Sequence, residues 1–172
     1  MELKDFYYNL PEELIAQQPH AQRDGSRMLR LNRTSGEITD STFSRLPQLL
    51  EKGDVLVINN SKVIPARLFG KKCTGASLEI LLLTRKESPE AAEVWEVLLR
   101  PGKRIKENDV IILNDDCEAK VLSRISGKKW LLQFNCSKSF EDYLNIHGRA
   151  PLPPYIKRKN GGEQFVEDLE RY

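Results

Sequence analysis

The sequence predicts a mixed α+β chain: an α/β body interrupted by an inserted, small antiparallel β-barrel of about six strands. Three observations lead there. Between Ala66 and Phe134, short runs with strand chemistry recur with turn residues between them. Ahead of them, Val55-Leu56-Val57-Ile58 is a continuous apolar run, the mark of a strand buried on both faces. Behind them, a proline-rich strap leaves the barrel and returns toward the first segment, which makes the barrel an insertion. Residues 1–65 are then the first part of the body and 66–135 the barrel. Residues 136–172 supply a helix, the strap and a terminal helix returning to the body.

The elements follow in order. Leu10 to Gln17 predicts a short helix: Pro11 suits the first helical position, Glu12 and Glu13 suit the dipole, and Pro19 stops it. Met28–Leu31 and Ile38–Thr42 flank Thr34-Ser35-Gly36, the composition of a β-hairpin. A second short helix is expected where Leu46, Leu49 and Leu50 share a face, with Pro47 in its first turn and Gly53 just past its end. The buried-strand run 55–58 points straight at Asn59-Asn60-Ser61. The barrel strands are read at Ala66–Lys71, Leu78–Thr84, Val94–Arg100, Val110–Leu113, Ala119–Arg124 and Lys129–Phe134. Thr74-Gly75, Ser88-Pro89, Pro101-Gly102, Asn114-Asp115-Asp116 and Ser126-Gly127 turn between them. Ser137 or Ser139 can cap a helix burying Phe140, Tyr143, Leu144 and, at the margin of that face, Ile146, with Gly148 ending it. Pro151-Leu152-Pro153-Pro154-Tyr155-Ile156 is held extended by its prolines, and a last helix starts near Glu163.

Composition narrows the class. The 172 residues carry 27 basic and 25 acidic side chains, 40% hydrophobic and 8% aromatic residues, which excludes disorder and collagen-like repeats. No apolar run approaches the roughly 20 residues that span a bilayer. Met1-Glu2-Leu3-Lys4-Asp5 is charged where an export signal needs an apolar segment, so a cytosolic setting is expected. Cys73, Cys117 and Cys136 are odd in number and lack C-x-x-C spacing, and are expected as buried thiols with neither disulfide nor zinc. Phosphate-loop, dinucleotide, nucleophile-elbow and zinc-helix motifs are all missing. His20 and His147 stand apart, which suits packing or surface roles better than a metal.

What chemistry remains is basic and amide. Arg100, Lys103, Arg104 and Lys106 cluster, and Arg149, Lys157, Arg158 and Lys159 fall in a stretch without acids from Tyr143 to Gly162. Such clusters suit phosphate backbones, although solvated faces look the same in sequence. Tyr155 offers a plane for base stacking, and a packing aromatic fits as well. Asn59 stands at the expected carboxyl end of a strand, a common ligand position in α/β sheets, and an Asn pair is also ordinary turn chemistry. Arg67 could hold a carboxylate or phosphate bidentately, or form a structural ion pair.

Five blocks, in order, carry a resemblance. They are Leu10-Pro11-Glu12-Glu13-Leu14-Ile15-Ala16-Gln17, Asp24-Gly25-Ser26-Arg27, Val63-Ile64-Pro65-Ala66-Arg67-Leu68, Leu98-Leu99-Arg100-Pro101-Gly102 and Pro151-Leu152-Pro153-Pro154-Tyr155-Ile156. Together they resemble the S-adenosylmethionine:tRNA ribosyltransferase-isomerases of queuosine biosynthesis, with this chain matching the N-terminal half. The resemblance implies transfer and rearrangement of the ribosyl unit of S-adenosylmethionine onto the aminomethyl-deazaguanine at the tRNA wobble position. The product is epoxyqueuosine, and adenine and methionine leave. It also implies an α/β body carrying an inserted β-barrel, with part of the body's sheet in a half that would follow Glu170-Arg171-Tyr172. Asn60-Ser61-Lys62 and His147-Gly148-Arg149 depart from the usual family pattern.

The resemblance implies roles residue by residue. Asn59 and Arg67 are the candidates nearest the chemistry, and the general base is unassigned. Arg27, Asn59, Arg67, Tyr155 and Tyr172 are the candidates for binding S-adenosylmethionine, a co-substrate, with no permanently bound cofactor and no metal. Arg100, Lys103, Arg104, Arg149, Lys157 and Arg158 are the candidates for tRNA, while Arg171 and Tyr172 are carried over from the family's motif at the chain's end. The expected partners are tRNA bearing the queuosine precursor, S-adenosylmethionine, and either the missing C-terminal half or a second copy, with no membrane. A noncatalytic RNA-binding barrel is the alternative, and a structural remnant needing a partner is a third reading.

Overall fold

The computed structural model describes residues 2–88, 92–102, 104–158 and 163–171. The chain divides into two compact units, one of residues 1–61 with 154–157, the other of residues 62–153 with 158–172. The expected C-terminal region, 136–172, is thus shared between them.

In the second unit six strands close a barrel: β3 (Arg67–Lys72), β4 (Ser77–Lys86), β5 (Glu93–Arg100), β6 (Val110–Asn114), β7 (Cys117–Ser126) and β8 (Lys129–Cys136). Their order is β3-β4-β5-β8-β7-β6, all antiparallel, and β3 pairs with β6 to close the ring. The six-strand barrel is therefore as the turn spacing predicts. Alternation does the sorting: Leu68, Ile80, Val97, Leu99, Ile111, Val121 and Leu132 point inward and are fully buried. Closure at β3–β6 rests on two pairs only, Lys71 with Ile112 and Lys72 with Ile111. Gly70 allows this approach, since a Cβ there would lie 2.8 Å from the Ile111 Cγ2 and 3.0 Å from the Ile112 carbonyl oxygen.

One helix, α1 (Phe140–His147), packs against β8. Ser139 caps it, its Oγ accepting from the Asp142 backbone N–H at 3.1 Å. Phe140, Tyr143 and Leu144 are buried, with the Phe140 ring 4.4 Å from that of Phe134, whereas Ile146, expected on the same face, is exposed. Gly148 ends α1 with ordinary negative φ, and the reason it is glycine is space: a Cβ would collide with the carbonyl oxygens of Pro65 and Leu144. The terminal helix, α2, spans Glu163–Arg171. Among the described residues no helix is long and apolar enough to cross a membrane.

The cysteines depart from expectation. Cys117 and Cys136 face each other across β7 and β8 and form a disulfide, while Cys73 is exposed in the β3–β4 turn. Spacing along the chain does not register that a hairpin can return one cysteine directly opposite another.

The first unit is built differently. The predicted hairpin is present, β1 (Arg27–Leu31) pairing with β2 (Ile38–Thr42) in a two-stranded sheet. Both predicted helices contract to 3-10 turns, Glu12–Leu14 and Phe43–Leu49, the latter with Pro47 inside it. Short segments without a surface to pack on do not recover the cost of α-helix nucleation. The run Val55–Ile58 is no strand: its residues are between 60% and 88% exposed. A strand buried on both faces needs a neighbour on each side, and no described strand pairs with it. No described residue of 2–61 is buried.

Candidate nucleic-acid interface

Strand alternation sends Arg67, Phe69 and Lys71 to the outer face of the barrel while Leu68 and Gly70 point in. Cross-strand register then fixes their neighbours. Phe69 lies opposite Glu79, Glu79 opposite Arg100, and Lys71 opposite Ile112. These side chains line a cleft of about 760 Å3 over the β3–β6 seam, together with Lys72, Asn114 and others.

Arg67 is held through both its side chain and its backbone. Its Nη2 donates to the Leu152 carbonyl at 2.8 Å, and its Nε lies 3.2 Å from Glu79 Oε1, close enough for an ion pair but at too poor an angle for a hydrogen bond. Its backbone pairs both ways with Arg149, N–H to carbonyl at 3.0 Å and 2.9 Å. Three of the sequence blocks thereby converge: the block of Arg67, the block of Leu152 and, through Glu79, the block of Arg100. Arg67 holds the start of the strap to the barrel.

The charges around the cleft differ in what they are free to do. Lys72 Nζ is held by Asp109 at 2.7 Å and by the Arg104 carbonyl at 2.8 Å. The hydrogen bond from Lys72, with that of the Lys106 backbone, holds the Asp109 carboxyl below its ordinary value of 3.8. The Lys72 charge is thus offset by its carboxylate partner. Lys71 and Arg100 have no carboxylate partner among the described residues. The Arg149 guanidinium sits over the Phe69 ring, 4.9 Å from its centroid.

The remaining sequence candidates are spread out. Arg158 grips Asp168 of α2 with Nε and Nη2 at 2.8 Å and 2.6 Å, and both side chains are nearly buried, 12% and 5% exposed. That ion pair secures α2, a role the charge clustering does not reveal. Arg104 is exposed on the β5–β6 connection with a φ of 65°. The Arg100–Pro101 peptide is cis. Lys103 and Tyr172 lie outside the described residues. Arg171 is in the last turn of α2.

In the first unit, Lys157 Nζ pairs with Glu12 at 2.7 Å and, chiefly by that hydrogen bond, keeps the Glu12 carboxyl below its usual range. Gln17 donates to the Tyr155 carbonyl and accepts from the Lys157 N–H, so the strap's second half is tied to the first sequence block. The Tyr155 ring is exposed. Arg27 is exposed on β1, 3.9 Å from Asp40. Asn59 Oδ1 accepts from the Ser61 N–H at 2.8 Å, the turn chemistry an Asn pair commonly forms. Among the described residues no group of three or more His, Cys, Asp or Glu could hold a metal ion.

The sequence reading missed Phe69, Lys71 and Ile112. The signal for Phe69 was available: in Arg67-Leu68-Phe69-Gly70-Lys71 the aromatic occupies an outward position, where a barrel strand normally places polar groups.

Comparison with known proteins gives one answer. A family model described as queuosine biosynthesis protein matches residues 3–172. An S-adenosylmethionine:tRNA ribosyltransferase-isomerase of Syntrophus aciditrophicus is 47% identical over 188 residues, covering 100% of this chain and 52% of the relative. One of Desulfitobacterium hafniense is 44% identical over 174 residues, covering 100% and 48%. A crystal structure of an S-adenosylmethionine tRNA ribosyltransferase from Thermotoga maritima is 35% identical, covering 97% of this chain and 54% of that one, with a TM-score of 0.41. The chain spans about half the length of the curated relatives it matches.

Proposed function

The chain belongs to the queuosine biosynthesis protein family, and on that premise we propose that it supplies one half of an S-adenosylmethionine:tRNA ribosyltransferase-isomerase. The whole enzyme would move the ribosyl unit of S-adenosylmethionine to the aminomethyl-deazaguanine of a tRNA wobble position, rearranging it to the epoxycyclopentane of epoxyqueuosine and releasing adenine and methionine. S-adenosylmethionine is consumed as a co-substrate in a cytosolic setting. The observation that carries this reading is the extent of the match, since relatives named for this one reaction align across the entire chain.

The chemistry asks for a general base beside the acidified carbon of the sulfonium, a dry pocket for adenine and cationic groups for an anticodon loop. The barrel supplies the last of these at Lys71, Arg100 and Arg149. Arg67, engaged with Glu79 and Leu152, acts in this reading as a positioning residue that holds the strap. Arg27, Asn59 and Tyr155 are exposed in the first unit and are proposed to meet S-adenosylmethionine once that unit is covered.

A noncatalytic RNA-binding module is the second reading, favoured by one observation: two cations without carboxylate partners among the described residues, Lys71 and Arg100, line one cleft of the barrel, which has its own buried core. Adenine release separates the two. The 172-residue chain, alone and joined to the remaining part of the Syntrophus aciditrophicus relative, is incubated with S-adenosylmethionine and tRNA carrying the aminomethyl-deazaguanine. Release above a no-protein control from the joined chain is expected, and release from the chain alone would also support the transferase. Folded protein that binds the tRNA but releases no adenine in either format overturns it in favour of the module.

A further inference from the structure

The cleft over the β3–β6 seam has a composition that neither a solvated face nor a packed core requires. Its floor includes Phe69 and Ile112, 46% and 47% exposed on the outside of a barrel whose core is already filled. Two cations without carboxylate partners among the described residues, Lys71 and Arg100, stand at its sides. The other charges of the wall are neutralised, Glu79 by Arg67 and Lys72 by Asp109. The Arg149 guanidinium carbon lies over the Phe69 ring, 4.9 Å from its centroid, so an aromatic and a planar cation adjoin at this edge of the cleft.

We propose that this cleft is a nucleotide subsite for single-stranded RNA, an unpaired base stacking at the Phe69–Arg149 pair with its flanking phosphates on Lys71 and Arg100. The inference deepens the RNA part of the proposed function and rests on it. Three physical points select this occupant. A volume of about 760 Å3 falls within the range of small-ligand pockets, large enough for one nucleotide. An inorganic phosphate would satisfy the cations and leave Phe69 and Ile112 in water, whereas an apolar peptide would cover the floor and bury two cations without anions. A nucleotide has a flat apolar face and an adjacent negative charge, and aromatic platforms beside basic groups are how sequence-tolerant single-strand binders combine the two.

The test uses the whole 172-residue chain and two fluorescein-labelled heptaribonucleotides, one of mixed sequence and one with the same ribose-phosphate backbone lacking bases. Binding is followed by anisotropy across a salt titration. Phe69→Ala is expected to weaken the mixed-sequence RNA roughly tenfold while leaving the base-free RNA within about twofold. Phe69→Trp should retain the affinity, which guards against reading misfolding as lost stacking. Lys71→Ala and Arg100→Ala should weaken both RNAs and each reduce the salt slope by about 0.7. No measurable RNA binding by the unmodified chain, or equal losses for the two RNAs in Phe69→Ala, overturns the subsite. Adenine release together with RNA binding insensitive to all these variants overturns the subsite alone. Phe69-dependent binding without adenine release in either format overturns the transferase reading alone.

Discussion

Arg67 shows how a residue's type can be read in sequence while its duty cannot. A fixed guanidinium near a predicted strand end was legible as a bidentate group, and its possible partners were a ligand or a carboxylate of the fold. In the structure it holds Glu79 from one side and the Leu152 carbonyl from the other, with its side chain mostly shielded. Arg67→Lys keeps the charge and loses the fork, so one of the two partners is left without it. Urea denaturation should show the barrel destabilised by about 1–2 kcal/mol, in line with a lost charge-assisted hydrogen bond. An unchanged midpoint would mean that the strap is held by its backbone pairing with Arg149 alone. Arg158 teaches the same lesson, since its position in a basic run concealed a nearly buried pair with Asp168.

At the scale of elements, the barrel hairpins were legible because their information is local. Thr74-Gly75 and Ser126-Gly127 turn the chain within a few residues, and period-two alternation assigns each side chain to a face. The two short helices and the strand at Val55–Ile58 failed for the opposite reason: their patterns state which face wants burial, not whether a partner is present. The β7–β8 hairpin adds a consequence. Its disulfide closes a loop with a sequence separation of 19, for which chain entropy gives about 3 kcal/mol of stabilisation. Thermal melts of the chain with and without a thiol reductant should therefore differ, the reduced form melting several degrees lower yet still cooperatively, because Cys117 remains packed in the barrel core. Identical melts in both conditions, with the thiols shown to be free in each, would mean that the pair is a close contact between thiols rather than a bond.

For the molecule as a whole, stability is unevenly distributed. The barrel has a core of fully buried aliphatic side chains, whereas no described residue of 2–61 is buried and Val55, Val57 and Ile58 face water. Hydrogen exchange of the isolated chain should separate these regions: amides of β5, β7 and β8 protected to the level of global unfolding, and those of 2–61 exchanging within a few hundredfold of unfolded rates. Strong protection in 2–61 would show that another surface covers it, and sedimentation of the same sample would reveal whether that surface is a second copy. The five sequence blocks, the strand count, the hairpin turns and a serine cap for α1 were determined along the chain itself. Each depends on interactions within a few residues, where turn dihedrals and capping act directly. The structure chose Ser139 over Ser137 and put a turn at residues 154–156 of the strap expected to be extended. Barrel closure decided the rest. It brings Phe69, Lys71, Arg100 and Ile112 to one cleft and sets Cys117 opposite Cys136, because register across strands joins residues far apart in the chain, and only the packed core selects that register.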